Sequence, residues 1–76
     1  MNFRKMNFFL LDMLDDEKNQ LLKRIENLNG FLYTDSFYEL DPAQQILLQI
    51  EYSAMGTYFI SLSERIKQLV ASSSKV

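Results

Sequence analysis

Apolar residues recur along this chain at steps of three and four. Phe3, Met6, Leu10, Met13 and Leu14 open the pattern, and Leu21, Ile25, Leu28 and Leu32 resume it. That is the spacing of one face of an α-helix rather than the alternation of a strand. Asp15, Asp16 and Glu17 interrupt the stripe. The interruption is either an exposed turn of one continuous helix or the start of a second helix, whose acidic first turn would face the positive end of its dipole.

Gly30 weakens the end of this segment, and the polar run Tyr33-Thr34-Asp35-Ser36 follows. Phe37 and Leu40 stand at short helical spacing and are placed to plug the end of a hairpin. Asp41 is a good N-cap, Pro42 suits the first helical position, and Gln44 approximates a capping box. From there Leu48, Met55, Phe59, Leu62, Ile66 and Leu69 keep a heptad-like course. The pattern predicts an all-α chain: a helix over about residues 3–32, a turn over 33–41, a helix over about 42–71 and a fraying tail over 72–76. It forms a single antiparallel hairpin domain, with a short extra N-terminal helix if the first segment breaks.

The apolar stripes are wider than one partner helix can cover. Leu47, Ile50, Ala54 and Tyr58 lie beside the main stripe of the second helix, and Phe8, Phe9 and Leu11 beside that of the first. A stripe broader than a two-helix seam indicates a further neighbour, and Ala54 and Gly56 would let one approach closely. Self-association into a homo-oligomeric helical bundle accounts for the surplus. Size points the same way, because 76 residues without cysteine are near the limit at which a lone core suffices.

Composition removes whole classes of function. With neither cysteine nor histidine, the chain lacks thiol nucleophiles, Cys/His zinc sites and the commonest catalytic base. No phosphate-binding loop or nucleophile–base pair stands out, so no enzyme, metal or cofactor is expected. The acidic run 15–17 reads as a solvated face. Net charge is −2 with both signs scattered, which argues against binding to a nucleic-acid polymer. Phe8-Phe9-Leu10-Leu11 and Ile46-Leu47-Leu48 fall far short of the ~20 residues that span a bilayer. Arg4 and Lys5 before an apolar stretch superficially imitate a signal peptide, but Asp12, Asp15 and Asp16 interrupt it. The expectation is a cytoplasmic protein without a membrane role.

Binding chemistry rests on aromatics and cations. Ten aromatic residues cluster as Phe3/Phe8/Phe9, Phe31/Tyr33/Phe37/Tyr38 and Tyr52/Tyr58/Phe59. Most have a packing role open to them, while a few could stack on a planar ligand as nearby cations neutralise phosphate. Arg4 and Lys5 beside Phe8 form one such grouping. Arg65 and Lys67 form another, and an antiparallel hairpin closed near residue 37 brings both groupings to one end. The plainer role for basic residues late in a helix is to complement its dipole.

Phe31-Leu32, Phe37, Leu40, Asp41-Pro42, Gln45, Leu47-Leu48, Gln49-Ile50, Ala54-Met55, Tyr58, Leu62 and Arg65-Ile66 occur in an order that resembles a small helical-hairpin family of tailed and crAss-like phages. It is similar to the hairpin of phage sponge proteins that act against the CBASS and Thoeris defence systems, over roughly residues 18–70. The chain departs from that pattern at Gly56 and Thr57 and in its Phe/Met-rich N-terminal segment. The resemblance implies a protein that holds a host cyclic di- or trinucleotide, or a cyclic ADP-ribose isomer, without degrading it. Such sponges are typically hexameric and bind where protomers meet, inside the infected bacterial cell. Gln49, Tyr58 and Arg65 are the matched positions with suitable chemistry, and Arg4, Lys5 and Phe8 complete the candidate ligand-binding set. The alternative is a small phage interaction module that inhibits or assembles with a host or phage protein through its apolar surface.

Overall fold

The computed structural model describes residues 3–74, with side chains over 8–72. The chain is a helical hairpin: α1 spans Phe3–Leu32, a single-turn helix α2 spans Asp35–Tyr38, and α3 spans Pro42–Ser74. The acidic run at 15–17 is therefore an exposed turn of one continuous helix, and the first segment does not break. At 1.5 Å per residue the long helices measure about 45 and 50 Å, matching an outline of 54 × 17 × 15 Å.

The helices meet along a seam with coiled-coil spacing. Among the residues withdrawn from solvent, the seam takes Leu11, Leu14, Lys18, Leu21, Ile25, Leu28 and Leu32 on α1 and Gln45, Leu48, Tyr52, Met55, Phe59, Leu62, Ile66 and Leu69 on α3, with Phe31, Gly56 and Ser63 half-buried beside it. Both runs alternate steps of three and four, the 3.5-residue repeat that keeps two helices facing each other. Leu14, Leu21 and Leu62 form the buried centre, with Ile25, Met55, Phe59, Ile66 and Leu69 packed around it. Two members of the expected first stripe, Leu10 and Met13, are exposed instead. Leu11 and Lys18 occupy the seam because a 3.5 repeat counted from Leu14 selects them. Lys18 fits there because its ammonium lies over the Phe59 ring, 5.3 Å from the centroid, while its aliphatic stem covers apolar surface.

The corner is fixed by local chemistry. The Thr34 hydroxyl donates to the Phe31 carbonyl at 2.6 Å and accepts from the Phe37 amide at 3.4 Å, closing α1 and capping α2 with one side chain. Phe37 is 2% exposed and meets Phe31 and Tyr38 edge-on, so it plugs the hairpin end. Gln45 rather than Gln44 makes the side-chain bonds at the start of α3, donating to the carbonyls of Leu40 at 2.8 Å and Tyr38 at 3.2 Å. Gln45 lies on the seam side, toward α2, whereas Gln44 is exposed.

A rod this thin encloses little. The radius of gyration is 17.1 Å, against about 11 Å for a compact domain of this length. Phe8, Phe9, Ile46, Leu47, Ile50, Ile60 and Val70 all remain largely in solvent. No helix among the described residues is long and apolar enough to cross a membrane.

Candidate functional site

Between the open ends of α1 and α3 lies a groove of about 280 Å³ lined by Leu10, Leu14, Arg65, Gln68, Leu69 and Ser72. The seam supplies its apolar floor through Leu14 and Leu69. The rim is polar: a guanidinium, an amide and a hydroxyl, all donors suited to anionic or carbonyl oxygens. Arg65 is exposed and makes no ion pair among the described residues, so its charge is available to a ligand.

One heptad toward the corner, Tyr58 projects from nearly the same side of α3, about 10 Å from Arg65 along the axis. Its hydroxyl donates to Glu17 across the hairpin. Glu17, Gln20, Leu21, Arg24 and Tyr58 line a second hollow of about 180 Å³. The hydrogen bond to Glu17 and the nearby negative charge hold the Tyr58 phenol above its usual value of 10.0, with Arg65 acting in the opposite direction. Tyr58 thus stays protonated, a donor, throughout the neutral range. The sign is clear: a pKa raised on folding gives a contribution fully present below the ordinary value and lost as pH rises through the folded one. Replacing Glu17 with glutamine removes the charge and is expected to lower the Tyr58 transition toward 10.0, as followed by NMR of the tyrosine ring carbons. An unchanged transition would show that Glu17 does not control it.

The other candidate residues are dispersed. Gln49 is exposed and stands nine residues before Tyr58, so the two point about 180° apart on a continuous helix. They do not line one pocket of a single hairpin. Phe8 is 64% exposed near the open end and is not part of the groove wall. Arg4 and Lys5 lie in the first turns of α1, and their side chains fall outside the described residues. Lys67 pairs with Glu64 at 3.2 Å and projects about 200° around the helix from Arg65, so the two cations do not act on one ligand oxygen. An open hollow at Asp12, Asp15 and Asp16 repels phosphate. Glu17 and Arg24 are functional candidates that composition and periodicity did not single out as a pair with Tyr58. They stand one heptad apart on α1, as Tyr58 and Arg65 do on α3, but that spacing does not set the register between the helices that pairs them.

No group of residues that could hold a metal ion occurs among the described residues. No curated protein and no solved structure matches the chain. Residues 10–68 match the family described as Sequestin, a span that includes the whole corner, the Glu17–Tyr58 pair and Arg65. The chain belongs to the Sequestin family.

Proposed function

We propose that this protein is a phage anti-defence sponge that binds a host cyclic-nucleotide immune signal and withholds it from its effector without cleaving it. The observation that carries the reading is an uncommitted Arg65 at the rim of an apolar groove, in a chain whose family name denotes sequestration. A cyclic nucleotide combines planar bases with phosphates. The groove floor takes the apolar face, Arg65 pairs with phosphate in bidentate fashion, and Gln68 and Ser72 donate to polar edges. The scheme consists of binding alone, with no bond made or broken.

The groove of about 280 Å³ lies just below the ~300–1,000 Å³ of sites that enclose a drug-sized ligand. Holding a cyclic nucleotide tightly therefore calls for walls from more than one copy, in keeping with a homo-oligomer whose exposed apolar faces are covered. In the infected bacterial cell, such an assembly lowers the free signal by mass action alone.

The test is a melting-temperature screen against cyclic dinucleotides, cyclic trinucleotides and cyclic ADP-ribose isomers. A ligand present at 100 times its Kd adds about 2.7 kcal/mol, a shift of several degrees in a domain this small. A flat response across the panel would remove the sponge reading.

A further inference from the structure

The side of α3 away from α1 carries a second regular stripe. Ala43, Leu47, Ile50, Ala54, Thr57 and Ser61 follow one another at steps of four and three, and all six are exposed. Leu47 is 54% and Ile50 59% exposed. From Pro42 to Ser63 the one charged residue is Glu51, whereas a solvent-facing helix side ordinarily carries many charges. One helix thus has two seams, and α1 occupies only the first.

We propose that a second copy of this chain occupies the other seam, α3 against α3, antiparallel and centred near residue 52. Side-chain size sets both direction and register. In this arrangement Leu47 faces Thr57 of the partner subunit, Ile50 faces Ala54 of the partner subunit, and Ala43 faces Ser61 of the partner subunit. Leu47 and Ile50 each meet a small residue and so interdigitate at the centre of the contact, and small pairs remain only at its two ends, Ala43 with Ser61. Parallel pairing in register sets Leu47 on Leu47 and Ile50 on Ile50, and leaves gaps at four small pairs. Antiparallel packing also opposes the two helix dipoles.

The stripe runs about 27 Å along α3, with exposed Ile46 and Tyr58 on its flanks. A specific interface begins near ~500 Å² per copy, under a tenth of the 5944 Å² surface of the chain. The result is a four-helix bundle with the two α3 helices at its centre and each α1 outside.

The pairing has a consequence for the groove, which rests on the signal-binding reading above. Arg65 lies thirteen residues from the axis, so it reaches the level of the partner's corner, where Tyr38 is 69% exposed. Tyr38 of the partner subunit then supplies an aromatic face for a base whose phosphate pairs with Arg65.

Light scattering on the full chain and on Ile50→Glu tests the pairing. The parent is expected at an even multiple of the 9.0 kDa chain mass, and the variant at half that multiple or less with helix content unchanged by circular dichroism. A parent of single-chain mass, or a variant of unchanged mass, overturns it. Cross-linking fixes direction, since the chain has no native cysteine. Mixed Leu47→Cys and Thr57→Cys chains should form the 47–57 disulfide on mild oxidation. Leu47→Cys alone should not cross-link, its two copies lying about 15 Å apart along the axis; efficient 47–47 cross-linking overturns the antiparallel register. Tyr38→Ala should weaken nucleotide binding at least about fivefold at unchanged mass. Correct cross-links with no nucleotide bound would overturn the shared groove and leave the pairing standing, whereas nucleotide binding by a chain of single-chain mass would overturn the pairing.

Discussion

Replacing Leu62 with alanine is expected to destabilise the hairpin by about 2–5 kcal/mol, the cost of truncating a fully enclosed leucine. Leu62 is 0% exposed and sits against Leu14 and Leu21 at the centre of the core. Few other residues are so completely enclosed in this slender rod, so the loss is not spread over a larger core. Small domains of this kind commonly hold only ~3–5 kcal/mol in one hydrophobic core. Thermal melting by circular dichroism should therefore show a fall of well over ten degrees, or no cooperative transition at all. Ile60→Ala is the matched control: Ile60 is largely exposed, and its truncation should move the midpoint by only a degree or two. Similar losses at both positions would mean that the seam described here is not the one that holds the protein together.

The second large effect concerns binding. Arg65→Ala is expected to weaken nucleotide binding about 10- to 100-fold, the range for losing charge-assisted hydrogen bonds to a phosphate. Its helix content and assembly mass should stay those of the parent, because Arg65 makes no ion pair among the described residues and stands exposed at the groove rim. Lys67→Ala, two residues on, should change binding by no more than about twofold, as expected for one half of an exposed pair with Glu64. Equal effects of the two substitutions would point to a diffuse electrostatic contribution instead of a directed contact. An Arg65→Ala chain that fails to fold would make the residue structural and remove it from the site.

Much of the hairpin is legible in the order of residues, for reasons that can be named. Leucines and isoleucines at steps of three and four report the buried face directly, and Asp41-Pro42 marks the start of α3 because proline loses nothing at a first helical position. The continuity of α1 is harder to read. Its seam passes through Lys18, and a lysine next to Asp15, Asp16 and Glu17 has the appearance of solvated surface. Only the position of the Phe59 ring shows that its stem belongs inside. Likewise, Gln45 takes the local bonding role expected of Gln44 because the direction of its side chain depends on where α2 sits.

The site divides in the same way. Arg65 stands out by its charge, while Tyr58 is singled out through the resemblance to the phage hairpin family, where its phenol suits a base edge. Their partners do not stand out. Glu17 and Arg24 become relevant only once α1 is set against α3 in the register that brings Glu17 to Tyr58, and side-chain spacing within either helix does not contain that register. Gln49 illustrates the converse: its amide suits a ligand, yet a continuous α3 turns it to the side opposite Tyr58.

Retention of an intact nucleotide signal can be measured by titrating the purified protein calorimetrically with each cyclic nucleotide and cyclic ADP-ribose isomer, then heating the saturated complex and identifying the released small molecule by mass spectrometry. At least one ligand should bind saturably and be recovered with unaltered mass in the amount bound. Recovery of a hydrolysed product, or no binding by any member of the panel, would contradict retention of an intact signal.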